Sequence, residues 1–313
     1  MFKIYKTDDK KIHDEERITP GSWINMVDPD AKEGEYIAKK FNLDVRDVLA
    51  ARDDEESSRI ELEDGYTLIL VDVPTPEIIH DKQSYTTIPL GIIITENNLI
   101  TVCRVDTPVL KPFIDGRVKE FSTKKKLRFV YQILFRVAAL YQQNLRLIDK
   151  KRTNIEERLG SGSEDMDILE LHALESTLVY FATSLRSNAA VLDRLTRYKR
   201  LEQYPDDKEL LDDVITENRQ AIEMTTIYKD ILNGTRDLLS SVIDNKLNNV
   251  MKILTSITIV LGIPNIISGF YGMNVNAKWV PFANTVHGFA LIVGIVVVIC
   301  VIALGILKKK KLL

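Results

Sequence analysis

Two apolar stretches near the C-terminal end constrain this chain more than any other feature. Ile253 to Ala277 holds no Asp, Glu, Lys or Arg, and neither does Trp279 to Leu307; Lys308, Lys309, Lys310 and Lys311 follow. A helix crosses the hydrocarbon core of a bilayer with about 20 residues, so each stretch is long enough to span it. Tyr271-Gly272-Met273-Asn274 then falls where the first span meets the far membrane surface. That position suits the reception of a hydrated ion.

Charge is split along the chain. There are 45 Asp and Glu against 42 Lys and Arg, a formal net charge of -3. Every acid precedes Asn245, whereas the basic residues after Met251 are six lysines and no arginine. An acidic body joined to a basic, apolar tail argues against a nucleic-acid partner; it suits a body that meets cations and a tail in a lipid bilayer. Met1-Phe2-Lys3-Ile4 opens an alternating segment and not a secretory apolar core. The expectation is a multi-pass protein of the cell (plasma) membrane. Its N-terminal body and both termini are then cytoplasmic, which agrees with the Lys cluster, since cytoplasmic flanks are enriched in Lys and Arg. Cys103 and Cys300 are isolated, and no structural disulfide is expected.

Three domains are expected: an α/β domain over residues 1–122, a long-helix stalk over 123–250 and a two-span membrane domain over 251–313. In the first, Ser22 to Val27 reads as a strand, Ala31 to Phe41 and Val45 to Ala51 as helices, and Tyr66 to Val73 as a strand ended by Pro74. Pro89 to Thr95 and Leu99 to Arg104 read as a hairpin across Glu96-Asn97-Asn98. From Lys124 the apolar spacing becomes helical, with Phe129, Ile133, Val137, Leu140, Asn144, Leu147 and Lys151 on one drifting face. Gly160-Ser161-Gly162 breaks this helix, a second runs from Glu164 to Leu201, and Tyr204-Pro205-Asp206-Asp207 is a turn with a capping signal. A third helix starts near Lys208 and continues into the first span. Unbroken to residue 274 it would be roughly 100 Å long at about 1.5 Å per residue, so it must pack on its neighbours or on copies of itself.

Within the first span, Met251, Leu254, Thr258, Gly262, Asn265 and Gly269 step by three or four and place small and polar residues on one face. Polar groups in a span face protein or a water-filled cavity. The second span is almost wholly aliphatic, as a lipid-facing helix is. Symmetric copies could therefore put the first span around an axis. Pro264 lacks an N–H and would bend or loosen the helix. Hydropathy alone is equally compatible with a plain membrane anchor.

With Tyr271-Gly272-Met273-Asn274, two C-terminal spans, a terminal Lys cluster and an acidic α/β-plus-long-helix body, the whole chain resembles the CorA family of divalent-cation channels. The segments Ser240 to Lys252 and Arg59 to Tyr66 carry the same resemblance. It implies a funnel-shaped homopentamer passing Mg²⁺, and also Co²⁺ and Ni²⁺, through a pore lined by the first span. It further implies that Gly272, Met273 and Asn274 form the mouth, that Asn265 and Thr258 are deeper polar rings, and that Leu254 and Met251 form an apolar constriction that gates by excluding water. Mg²⁺ gives up its waters reluctantly, and a ring of carboxamides and carbonyls can accept hydrogen bonds from its hydration shell. Asp237 matches the family's stalk carboxylate for a regulatory cation, with Asp64 of the next subunit, or its neighbour Glu63, as partner; Mg²⁺ is then both cargo and regulator. One departure stands out. The magnesium type carries an acid in the loop between spans, whereas Val275 to Asn284 holds Lys278 and no acid.

His13, His80, His172 and His287 are scattered without metal spacing. Asp53-Asp54-Glu55-Glu56 reads as a solvated loop, and Gly160 to Ser163 lacks a phosphate-loop ending. No nucleophile, base and orienter come together, so an enzyme is not expected. Two alternatives remain: a Zn²⁺ transporter of the same superfamily, and a two-span anchored sensor or scaffold without a pore.

Overall fold

The computed structural model of the chain describes residues 2–9, 11–79, 82–159, 164–197, 205–282 and 285–310. They form two units, Met1–Arg236 and Asp237–Leu313.

The first unit is built on strands β1 (Phe2–Asp8), β2 (Lys11–Glu15), β3 (Trp23–Val27), β4 (Arg59–Leu62), β5 (Tyr66–Ile79), β6 (Lys82–Thr95) and β7 (Leu99–Cys103). They lie in the order β2-β1-β3-β7-β6-β5-β4, and β3 and β7 are parallel with Trp23 opposite Leu99. All five residues of β7 are buried. Its unbroken apolar run is what a strand covered on both faces requires. One face packs Ile24, Met26, Leu68, Ile93 and Val102 against Ile37, Ala38 and Val48 of helices α1 (Ala31–Phe41) and α2 (Val45–Leu49). Asp30 starts α1 by accepting from Glu33 N at 2.7 Å while the Glu33 carboxylate accepts from Asp30 N at 3.2 Å, a reciprocal cap. A Cβ on Gly34 would lie 2.6 Å from a Leu49 methyl, so glycine permits the close approach of α1 and α2.

The opposite face is aromatic. The fully buried Trp23 ring lies 5.0 Å from Tyr5, 5.0 Å from Phe129 and 6.4 Å from Phe121. Phe113, from the short helix α3 (Lys111–Ile114), joins Phe121 and Phe129 at 5.1 and 5.0 Å. Such ring pairs contribute about 0.5–1.5 kcal/mol each beyond their burial. They seat α4 (Lys126–Arg158), and α5 (Glu164–Arg197) lies along β5 and β6, where Ser84 and Thr177 share a 2.8 Å hydrogen bond.

Pro74 does not end β5. The strand continues through Pro76 to Ile79, paired with β6 to Ile79–Lys82. On its other edge β4 stops at Leu70. There Asn188 of α5 takes the place of a strand: it accepts from Asp72 N at 2.9 Å and donates to Asp72 O at 2.9 Å. Pro74 and Pro76 follow on that same open edge at a spacing of two, where a missing N–H breaks no ladder bond. β2 and β4 are short strands that the sequence pattern did not single out. β6 likewise begins at Lys82, ahead of Pro89, and the α2 segment ends in a 3₁₀ turn over Ala50–Arg52.

The α4 stripe drifts further than its spacing suggests. Phe129, Ile133, Val137 and Asn144 are buried, but Leu147 is 41% exposed and the contact passes to Tyr141, Leu145, Ile148 and Ile155. Helix α6 (Pro205–Tyr271) is a single element of 67 residues, and the boundary between units falls within it. Its first turns pack on α4 and α5: Gln142 Nε2 donates to Glu217 Oε2 at 2.6 Å and Asn218 Nδ2 to Leu185 O at 3.1 Å. The expected break at residues 160–162, the end of the second helix beyond Arg197 and the turn at Tyr204 lie outside the described residues.

The second unit pairs the rest of α6 with α7 (Gly288–Lys309). The 22 residues of α7 cover about 33 Å at about 1.5 Å per residue, enough for a hydrocarbon core of about 30 Å. Leu261, Ile266, Val301 and Ile302 are all more than half exposed. Apolar side chains along two such helices match a lipid environment, and both are candidate membrane spans by length and composition.

Candidate functional site

Helix α6 runs through Pro264 and ends at Tyr271. Gly272 N still donates to Ser268 O at 2.9 Å, and Met273 N reaches Phe270 O at 3.4 Å. The chain then leaves the helix, with Val275 N on Met273 O at 2.9 Å. A Cβ on Gly272 would stand 3.3 Å from Ser268 O, so a side chain there would press on the last helical turn. Two bonds hold the return. The Tyr271 hydroxyl donates to Pro281 O at 2.8 Å, and Lys278 N donates to Asn276 Oδ1 at 3.1 Å. Met273 and Asn274 stand exposed at the helix end. A helix C-terminus carries carbonyls without intrahelical donors and about half a negative charge. Neutral oxygen ligands, together with this partial charge, can bind the waters of a small cation without stripping them.

Ser256 is the most buried residue of the span, and Cys300 Sγ lies 3.8 Å from Val260 O. This face of α6, continued by the half-buried Ile263 and Ile267, is therefore turned to α7. Met251, Leu254, Thr258, Asn265 and Gly269 are exposed, and Gly262 is half-buried between the two faces. Thr258 Oγ1 donates to Leu254 O at 2.8 Å, which satisfies the hydroxyl within the helix. The Asn265 carboxamide meets no partner among the described residues. A carboxamide at membrane depth calls for water or another protein surface.

Asp64 lies exposed in the first unit and Asp237 exposed in the second, where the Asp237 carbonyl accepts from Ser241 Oγ at 2.9 Å. Among the described residues no group of three or more His, Cys, Asp and Glu could hold a metal. The acidic run is occupied within the first unit: Asp53 Oδ1 accepts from Glu55 N at 3.0 Å, Asp54 pairs with Arg104, and Glu56 with Arg59. Burial raises the Asp72 carboxyl above its ordinary range, against the lowering effect of the Ser184 and Ser58 hydroxyls. Tyr66 is pushed up to about 12, chiefly by burial and then by its 2.5 Å hydrogen bond to Asp47. His80 lies outside the described residues. Sequence reading missed the Tyr271–Pro281 bond and the Asn188–Asp72 clasp. Both join residues brought together by the fold, and neither carries a local signal.

Residues 21–309 match the family described as CorA-like Mg2+ transporter protein. The cobalt/magnesium transport protein CorA of Methanocaldococcus jannaschii is 30% identical, over 92% of this chain and 90% of its own length. The cobalt/magnesium transport protein CorA of Thermotoga maritima is 25% identical, over 99% of this chain and 89% of its own. The complete structure of the CorA magnesium transporter from Methanocaldococcus jannaschii aligns with a TM-score of 0.80 at 28% identity, over 98% of this chain and 96% of that one.

Proposed function

The chain belongs to the CorA-like Mg2+ transporter family, and on that premise we propose that it conducts Mg²⁺, with Co²⁺ and Ni²⁺ as further cargo, through a pore lined by α6. The observation that carries this is the polar face of α6, with Thr258 and Asn265 turned away from α7, leading to Asn274 at the carbonyl-rich helix end. Asn274 and the carbonyls of Gly272 and Met273 receive the hydrated ion. Asn265 and Thr258 hand it inward past Gly269 and Gly262, and Leu254 and Met251 form the apolar constriction.

One chain supplies a single polar-faced span, which cannot enclose a pore. A closed ring follows, and a pentamer is the assembly proposed. Residues 1–122 and 123–250 are its cytoplasmic domain and stalk, residues 251–313 its membrane part, and both termini face the cytoplasm. Gating by internal Mg²⁺ is assigned to Asp237, with Asp64 of a neighbouring copy. Mg²⁺ keeps most of its waters and is commonly held by one or two carboxylates, so an exposed carboxylate from each of two copies fits such an ion. The test is flux into liposomes of the purified protein with Mg²⁺, Co²⁺, Ni²⁺ and Zn²⁺ in parallel. Saturable Mg²⁺ flux supports the reading. Zn²⁺ flux without Mg²⁺ flux, or no flux of any of the four, overturns it.

A further inference from the structure

On the aromatic face of the sheet, Lys3 of β1 stands opposite Asn25 of β3. Beside them α3 and the segment that leads into it leave a cavity of about 400 Å³. This lies within the range of roughly 300–1,000 Å³ found for small-molecule sites. Two polar side chains that line it are more than nine-tenths buried: Tyr5 is 3% exposed and Asn25 is 5%.

The orientation of Asn25 follows from its neighbours. Trp23 Nε1 donates to Thr101 Oγ1 at 2.8 Å, and the Thr101 hydroxyl donates to Asn25 Oδ1 at 2.9 Å. Thr101 is fully buried, and its one proton is used on that oxygen. The Asn25 amide N–H donors are thereby left for the cavity, with no acceptor among the described residues. The Tyr5 hydroxyl meets no partner there either. Burial, and then the charges of Asp14 and Asp106, raise its pKa, so it remains a donor at neutral pH. Lys3 and Lys111 add two ammonium groups. Of the two acids in the lining, Asp115 is paired with Arg117 at 3.0 Å, which leaves Asp106. Donors in the lining thus outnumber its one unpaired acid, Asp106, with Asp14 close enough to act on Tyr5. The Asn25 amide and Tyr5 hydroxyl open onto the cavity, where an entering acceptor can reach them.

We propose that this cavity binds a small organic anion whose carboxylate or phosphate group is received by the Asn25 amide and the Tyr5 hydroxyl and balanced by Lys3 and Lys111. Val27 and Ile114 supply an apolar wall for the rest of the ligand, and Asp106 accepts from a hydroxyl or amino group on it. The site is independent of the transport assignment.

Equilibrium dialysis of the full-length protein against radiolabelled malonate and, separately, inorganic phosphate tests it and distinguishes the carboxylate from the phosphoryl source. Saturable uptake of one ligand per chain is expected for at least one of them. Lys3→Gln with Lys111→Gln should weaken it at least tenfold. Asn25→Asp, which keeps the acceptor for Thr101 but replaces the donors by charge, should abolish it. Absence of saturable uptake of both anions at millimolar concentration overturns the proposal, as does unaltered uptake by the lysine double variant. Both lysines are exposed, so that variant decides the matter even if Asn25→Asp fails to fold.

Discussion

The Tyr271 hydroxyl donates to the Pro281 carbonyl at 2.8 Å, closing the segment between them into a loop at the end of α6. Asn274 sits within that loop, so the bond limits the positions its carboxamide can take. Tyr271→Phe removes only the hydroxyl. The loss of one such bond is worth about 0.5–1.5 kcal/mol, and the protein should remain folded. Mg²⁺ flux should fall severalfold, and the loop should be cut faster by protease. Unchanged flux and cleavage would show that the bond does not hold the mouth.

Asn274→Ala removes the exposed carboxamide while leaving the helix bonds of Gly272 and Met273 in place. Assembly in detergent should be preserved and Mg²⁺ flux abolished. Flux at the unmodified level in a correctly assembled Asn274→Ala protein would exclude Asn274 as the mouth ligand.

Asp237 is exposed on α6, and a carboxylate there can hold a hydrated ion from outside the chain. An ion at about 100 times its Kd stabilises the binding state by about 2.7 kcal/mol per independent site. Asp237→Lys should therefore reduce protection against protease by Mg²⁺ and weaken inhibition of flux by internal Mg²⁺. If both keep their unmodified Mg²⁺ dependence, the regulatory site lies elsewhere.

Lys278 is exposed in the return loop, its backbone N–H bonded to Asn276 Oδ1. A positive charge near the mouth repels cations within a Debye length of about 8 Å at physiological salt. Lys278→Glu should raise flux at low Mg²⁺ concentration, less so at high ionic strength, and leave the saturating rate nearly unchanged. Superimposable flux curves at both ionic strengths would instead place the ammonium among lipid headgroups.

Asp72 offers a prediction on pH. Its neighbours are the Ser58 and Ser184 hydroxyls, Asn188 and the buried Tyr141, whose hydroxyl donates to Asp72 O at 3.1 Å. Burial raises its folded pKa, so the folded state binds the carboxyl proton more tightly than the unfolded chain does. Stability from this group is complete below the unfolded value of about 4 and is lost as pH rises through the higher folded value. Asp72→Asn should therefore raise the Tm at neutral pH, with the gain disappearing as pH falls towards about 4. A gain that is constant across that range would contradict the assignment.

Much of the fold was legible along the chain. The strands at Trp23 and Leu99, the helices from Ala31 and Lys126 and the two charge-free stretches all announce themselves by local period and composition. β5 was read too short because proline is a sound local stop signal, and what overrides it is an edge that has already lost its partner strand. β2 and β4 were missed because a short, half-exposed strand has little apolar pattern of its own. At the candidate site, Thr258 and Asn265 stand out because they recur on one face of an apolar run, whereas Asn274 stands out through the Tyr271-Gly272-Met273-Asn274 motif and its resemblance to the CorA family.

The sequence by itself determined which segments are apolar enough to span a bilayer, where the acidic body ends, and which polar residues share a helical face. These are properties of neighbours along the chain, and periodicity encodes them directly. Only the tertiary structure decided that Ser256 and Val260 are the residues turned to α7, that Tyr271 reaches Pro281, that Asn188 closes the open edge at Asp72, and that Asn25 is left with free donors beside Tyr5. Each depends on groups distant in sequence competing for a limited set of hydrogen-bond partners and buried volume. That competition is settled when the chain packs, and no local pattern carries it.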